Sequence, residues 1–163
     1  MKDYKKSGKI NGELVIDGNL ILTGNLEVEE YISVTGYIDC AGYSIKAGDS
    51  IKAGYYIEAG GFIKAGGFIE ADGWIKTGDS YGIQAGLLIT CKGTLSFGTK
   101  AFAGINTWRA ITDEEKTITC SKLIGGGVVE YGILKETGEP EVEEMTLSEI
   151  CKKLGRTVKI VNE

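Results

Sequence analysis

Histidine and clustered cysteines, which commonly carry acid–base and zinc chemistry, are absent from this chain. The sequence contains no histidine, which removes the most common general base and the most common metal ligand of proteins. It has four scattered cysteines with no CxxC spacing between them: Cys40, Cys91, Cys120 and Cys151. A disulfide framework or a zinc site would need clustered cysteines, so we expect four reduced thiols. The sequence therefore predicts a protein that is not an enzyme and has no metal site and no cofactor.

The 25 glycines of the chain do not form a phosphate-binding loop. Neither a Walker A pattern nor a GxGxxG turn after a strand is present. Calcium-binding nonapeptide solenoids need an Asp at a fixed place in every repeat, whereas Asp49, Asp72 and Asp79 occur irregularly. We expect the glycines at turns, where they supply backbone freedom.

Aromatic residues recur at one position in the middle of the chain. Each of them directly precedes an Ile: Tyr31, Tyr37, Tyr56, Phe62, Phe68 and Trp74. Exposed aromatic rings with charged neighbours are typical of protein–protein interfaces. These residues are therefore candidates for a binding surface, if the fold brings them together.

The spacing of these residues comes from a six-residue repeat. From Ile45 the chain reads IKAGDS, IKAGYY, IEAGGF, IKAGGF, IEADGW and IKTGDS, and related segments cover 14–100, with one extra residue near Ser44 and two near Tyr81. Large, polar and small residues alternate, so the first and third positions face inward and the second faces outward. Short strands separated by glycine turns predict an all-β fold, a hexapeptide-repeat β-solenoid. With three segments per coil, this triangular β-helix would have about four to five coils.

Segments three apart stack on each other in such a helix. Six candidate residues then share one face in successive coils: Tyr37, Tyr56, Trp74, Asp39, Glu58 and Lys76. Phe62 and Phe68 precede strands of the other faces and complete the candidate interface. A protein partner binds this surface, or else residues 107–163 or a second copy of the chain cover it. A homo-oligomer satisfies both alternatives.

The same stacking predicts where charged and small side chains lie. Lys52 meets Glu70, and Glu58 meets Lys76, as opposite charges on neighbouring coils. Lys46 and Lys64 meet as like charges and break this pattern. Cys40 and Cys91 occupy the inward third position, where we expect them to be small core residues.

The charge and the apolar pattern of the chain restrict its partners. The net charge is −5 and the pI is about 5.0, so no basic field favours nucleic acid or an acidic membrane. The start of the chain, MKDYKKSGKINGE, lacks the apolar region of a signal peptide, and no apolar run reaches the length of a membrane span. We expect a cytoplasmic protein that contacts neither membranes nor specific nucleic-acid sequences.

The repeat stops after Asn106, which suggests a β-helix with an N-terminal cap over 1–106 and a C-terminal capping region over 107–163. Thr112 and Glu115 match a capping box that opens a short helical turn. A β-hairpin, an acidic loop, a helix and a closing strand are predicted to follow, at 116–136, 136–144, 146–154 and 156–161. The C-terminal cap is thus expected to be α+β.

Two resemblances rest on these residues. The run LVIDGNLILTGNLEVEEYISVTGYIDCAG resembles the core of bactofilin-type polymer-forming β-helices. The order of hexads, the segment FAGINTWRAITDEEKTITCSKL and the segment MTLSEICKKLG is similar to that of small uncharacterised β-helical proteins of phages and prophages of Gram-positive bacteria. The second resemblance implies a phage accessory protein, in the host cytoplasm, that binds a host defence complex such as CRISPR. The first implies a self-assembling scaffold.

The enzymatic alternative is a hexapeptide acyltransferase, which shares the coil shape. That family typically depends on a catalytic histidine, and this chain has none. The departure counts against the activity, although not against the fold.

Overall fold

The computed structural model describes residues 1–106 and 108–138, which form short parallel strands arranged as three faces of a β-solenoid. Face one contains β2 (Leu14–Ile16), β4 (Ile32–Val34), β7 (Ile51–Ala53), β10 (Ile69–Ala71), β13 (Ile89–Cys91), β16 (Thr117–Cys120) and β19 (Ile133–Glu136). Face two contains the first half of β3 (Asn19–Val28), β5 (Ile38–Asp39), β8 (Ile57–Ala59), β11 (Ile75–Thr77), β14 (Leu95–Ser96) and β17 (Leu123–Ile124). Face three contains the second half of β3, β6 (Ile45–Ala47), β9 (Ile63–Ala65), β12 (Ile83–Ala85), β15 (Lys100–Ala103) and β18 (Val128–Tyr131). The first strand, β1 (Asp3–Ile10), runs along β3 across faces two and three.

The inward and outward positions follow the predicted alternation. The Ile at the first position of each repeat is fully buried, as at Ile57, Ile63 and Ile75, and the Ala at the third position is buried as well. The residue between them points outward, and the register places identical repeat positions opposite each other, as Ile57 opposite Ile75. The predicted all-β solenoid and its frame are therefore confirmed.

The solenoid has about seven turns, so the predicted four to five coils is wrong. Residues 108–116 form a loop outside the strands, and the coil then resumes with β16, in which Ile118 lies opposite Ile89. The predicted hairpin over 116–136 is also wrong, because β16 and β19 are parallel neighbours on face one and β18 pairs with β15. These segments lack the Ile–x–Ala–Gly repeat of the preceding coils.

The glycines at the corners are needed for close approach rather than for an unusual φ. Between residues 24 and 98, all of which are described, no glycine has a left-handed φ. A Cβ on Gly54 would lie against the carbonyl oxygen of Thr35, and one on Gly66 against that of Gly48. Successive coils thus touch backbone to backbone at the corners. This differs from the expectation that the glycines supply turn freedom.

The predicted capping box is present in the loop that leaves the stack. The Thr112 N–H donates to Glu115 Oε2 at 3.0 Å, and the Glu115 N–H donates to Thr112 Oγ1 at 3.4 Å. A 3₁₀ turn follows at Glu114–Lys116. Among the residues described, no helix is long and apolar enough to cross a membrane. The predicted helix and closing strand, Cys151 and most of the acidic loop lie outside the described residues.

Candidate functional site

Three aromatic rings form a continuous column at the corner between faces one and two. The rings of Tyr37 and Tyr56 are parallel within 1°, with centroids 4.9 Å apart. The rings of Tyr56 and Trp74 are parallel within 6°, with centroids 4.4 Å apart. We call these three side chains the aromatic stack. The prediction that they lie on one face in successive coils is confirmed.

The backbone of the solenoid sets the spacing of the stack. The Ile38 N–H donates to the carbonyl of Tyr56 at 2.9 Å, and the Ile57 N–H donates to that of Trp74 at 3.0 Å. Parallel strands lie about 4.8 Å apart, which is also a suitable distance for stacked aromatic rings. In-register residues at a corner therefore stack without further adjustment of the backbone.

Polar residues occupy the corner positions at both ends of the stack. On one side Asn19 Oδ1 accepts a hydrogen bond from the Tyr37 N–H at 3.3 Å, and the Asn19 amide donates to Asp3 at 2.8 Å. On the other side the carbonyl of Thr94 accepts from the Ile75 N–H at 3.0 Å. The stack is thus limited to three coils.

The stack is partly open to solvent. The side chain of Trp74 is 42% exposed, and Tyr37 and Tyr56 are half-buried. Partial burial raises the pKa of Tyr56 above its usual value, and the nearby Tyr37, Asp39 and Glu58 add to this shift. The phenol of Tyr56 therefore stays protonated at neutral pH. Most of the C-terminal region that was predicted as a possible cover of this surface, residues 139–163, lies outside the described residues.

The charged residues predicted beside the stack lie on face two. Lys76 Nζ is 2.9 Å from Glu58 Oε1, and this hydrogen bond raises the pKa of Lys76. Asp39 Oδ1 instead accepts from the Ala41 N–H at 2.7 Å, in a turn where Ala41 has a left-handed φ of 47°. Glu58 and Lys76 neutralise each other, so Asp39 leaves the rim of the stack slightly acidic.

The structure does not bring Phe62 or Phe68 to the stack. Phe62 lies at the corner between faces two and three and is 42% exposed, whereas Phe68 lies at the corner between faces three and one and is half-buried. Their backbone N–H groups donate to Ser44 Oγ at 3.1 Å and to Ser50 Oγ at 3.2 Å in the preceding coil. The predicted candidates thus divide among all three corners.

Ion pairs between coils follow the predicted ladder. Lys52 Nζ lies 2.8 Å from Glu70 Oε1 on face one. Lys46 lies opposite the like charge of Lys64, as predicted, and its Nζ is 2.9 Å from Glu27 Oε1 in the coil on the other side. This contact lowers the pKa of Glu27 and explains how the Lys46–Lys64 neighbourhood is tolerated. Such exposed pairs contribute about 0.2–1 kcal/mol each and mainly favour the correct register.

The cysteines of the described chain are part of the core. Cys40, Cys91 and Cys120 point inward and are buried, as predicted for the first two. Burial raises the pKa of the Cys40 thiol and raises that of Cys91 to about 12. Protonated and shielded thiols are poor nucleophiles.

An exposed tryptophan in the loop was not recognised from the sequence. Trp108 is 81% exposed, and its neighbour Arg109 binds both carboxylate oxygens of Glu115, at 2.9 and 2.6 Å. Tryptophan and arginine are enriched at interface hot spots. The adjacent Trp108 and Arg109, close to the capping box, were the sequence feature that could have indicated this site. They lie outside the six-residue repeat on which the prediction of the candidate surface was based.

Comparisons of this chain with protein-family models, with curated proteins and with solved structures found no match. A solenoid fold by itself does not determine a function, because function depends on sites carried by the fold. The aromatic stack, with its ordered rings and charged rim, is the site on which a functional proposal can rest.

Proposed function

We propose that this chain is a non-catalytic binding protein that presents the aromatic stack to a protein partner. The single observation that carries the proposal is the column formed by Tyr37, Tyr56 and Trp74, which is ordered, parallel and partly exposed. Tyr and Trp offer large contact areas at a low cost in side-chain entropy. Because stacking already holds the rings in place, little further entropy is lost on binding.

The partner that we propose is a bacterial defence complex such as CRISPR, bound in the host cytoplasm. The support for this choice is the resemblance of the chain to β-helical proteins of phages and prophages. The proposed mode of action is steric: a rigid solenoid occupies a protein surface that the complex needs. The charges beside the rings, Asp39 together with the Glu58–Lys76 pair, would lie at the polar rim of such an interface.

The proposal is tested by direct affinity measurements with a purified partner recovered from host lysate. Trp74→Ser removes the most exposed ring of the stack, and Tyr56→Ser combined with it removes most of the contact area. We expect the double substitution to weaken binding by about 2–4 kcal/mol. Phe68→Ser is the matched control at another corner and should change affinity little. Circular dichroism must show that each variant keeps its strands, and an unchanged affinity of the folded double variant would exclude the stack as the binding site.

End-to-end self-assembly, as in bactofilins, is the second candidate function. The observation that favours it is the N-terminal end of the solenoid, where β1 and β2 each pair along one edge only among the described residues, 1–106 and 108–138. Lys5, Lys6 and Lys9 on β1 oppose it, because charged residues on an edge strand discourage pairing with another chain. Light scattering separates the two functions. Filaments would support the scaffold, whereas a monomer or a small discrete homo-oligomer would support the binding protein.

A further inference from the structure

A groove with a volume of about 490 Å³ lies at the corner between faces two and three. Its walls include Phe62, Lys64, Gln84, Lys100 and Phe102. The volume falls in the range of about 300–1,000 Å³ that is usual for ligand sites. The groove is separate from the aromatic stack, which lies at the opposite end of the face-two strands.

The groove exists because the corner column lacks a side chain in one coil. The Ile63 N–H donates to the carbonyl of Gly82, so Gly82 is the residue next to Phe62 in this column. Lys100 occupies the coil beyond, since Ala101 lies opposite Ile83. Two coil spacings of about 4.8 Å separate Phe62 from Lys100, which leaves room for one planar ring between them.

The chain cannot fill this space with a side chain at position 82. A Cβ on Gly82 would lie against the backbone carbonyl oxygen of Lys100 and close to Thr99 Oγ1. At the other corner, the equivalent place beside Tyr56 is occupied by Trp74, with ring centroids 4.4 Å apart. The space beside Phe62 is therefore a stacking position that no side chain at position 82 can occupy.

The charges around the groove favour a ligand in which the ring has a negatively charged group beside it. Within the described ranges, 1–106 and 108–138, Lys64 has no carboxylate at ion-pair distance, whereas Lys46 is paired with Glu27 and Lys100 with Glu130 at 3.0 Å. Gln84 adds an amide that can donate a hydrogen bond.

We infer that this groove binds an aromatic side chain flanked by acidic residues in a partner protein, with the ring stacked on Phe62 and a carboxylate paired with Lys64. The inference goes beyond the proposed function, because it concerns a different corner and names the sequence chemistry that this corner recognises. A partner that lies along face two can reach both corners.

Short peptides test the inference directly on the full chain. The probes are Ac-Glu-Tyr-Glu-NH₂, Ac-Lys-Tyr-Lys-NH₂ and Ac-Glu-Leu-Glu-NH₂, titrated while the backbone amide signals are followed by NMR. We expect the first peptide to bind with a Kd on the order of 1 mM and to shift signals around Phe62, Lys64 and Gln84. The peptides that lack either the ring or the acidic residues should bind about tenfold more weakly. Absence of binding by the first peptide, or equal binding of all three, would overturn the inference.

Substitutions identify the groove as the place of binding. Phe62→Ala should weaken binding of the acidic tyrosine peptide about tenfold, and Lys64→Gln about threefold with a loss of salt dependence. Phe68→Ala and Lys52→Gln remove the same residue types from matched repeat positions on other parts of the solenoid and should leave binding unchanged. Peptide binding that survives Phe62→Ala would place the site elsewhere and overturn the inference. Trp74→Ser should not affect peptide binding, so failure of this inference and failure of the proposed stack interface are distinguishable.

Discussion

The ring of Tyr56 lies parallel to the ring of Trp74 on the next coil, with centroids 4.4 Å apart and 6° between their planes. On its other side Tyr56 stacks on Tyr37 at 4.9 Å. The central ring therefore has two stacked neighbours and each outer ring has one. The stack consequently contributes to the stability of the solenoid as well as offering a surface for binding.

A double-mutant cycle on Tyr56→Ala and Trp74→Ala should show a coupling free energy of about 0.5–1.5 kcal/mol, because stacked aromatic pairs contribute about that much beyond area burial. Urea denaturation followed by circular dichroism measures the free energy of unfolding of each variant. Trp74→Ala combined with Phe62→Ala is the control, since these rings lie at different corners and their effects should add. A coupling near zero for the Tyr56–Trp74 pair would show that the rings do not stack in solution.

Ile63→Ala should lower the free energy of unfolding by about 2–5 kcal/mol, because it removes a fully buried side chain from the middle of the stack. Lys64→Ala changes the next residue, which points outward, and should cost about 0.5 kcal/mol or less. Denaturant titration of both variants makes the comparison. Equal losses would contradict the inward and outward assignment of the repeat.

Gly66→Ala should destabilise the solenoid by about 1–3 kcal/mol, because its Cβ would meet the carbonyl oxygen of Gly48 on the adjacent coil and force the coils apart. Gly42→Ala is the matched control, since a Cβ there would meet nothing within 4 Å. The control should change stability by about 0.5 kcal/mol or less. If both substitutions had the same effect on the melting temperature, the coils would not touch at the corner glycines.

The carboxyl of Glu115 should titrate with a pKa of about 2, well below its usual value near 4.5. The hydrogen bond from Arg109 is the largest cause, and the Thr112 N–H adds to it. Because the folded pKa is lowered, this contact stabilises the loop fully above about pH 4.5 and is lost as the pH falls through about 2. Carbon-13 NMR of the side-chain carboxyl measures the midpoint directly.

Arg109→Gln should move that midpoint upward, towards the value of an unpaired glutamate. Lys116→Gln is the control, because Lys116 pairs with Asp113 at 2.8 Å in the same turn and not with Glu115. A midpoint that does not respond to Arg109→Gln would mean that the ion pair is not formed in solution.

The sequence alone determined the solenoid, its inward and outward positions and the aromatic stack. A constant repeat fixes which residues lie above one another, so stacking three segments per coil was enough to align Tyr37, Tyr56 and Trp74. The ion pair between Lys52 and Glu70 followed from the same rule. Because the repeats are nearly identical, the position of a residue within its repeat predicts which residues lie next to it in the folded protein.

Features that arise where the repeat is interrupted, or where coils touch, could be seen only in three dimensions. Ile118 joins the core because it lies opposite Ile89, although the six-residue repeat of the sequence stops after Asn106. Lys46 forms an ion pair with Glu27, which lies on the opposite side of Lys46 from the coil that carries Lys64. The groove beside Phe62 exists because a carbonyl oxygen excludes any side chain at Gly82. Each of these depends on distances between atoms remote in sequence, which a local pattern does not contain.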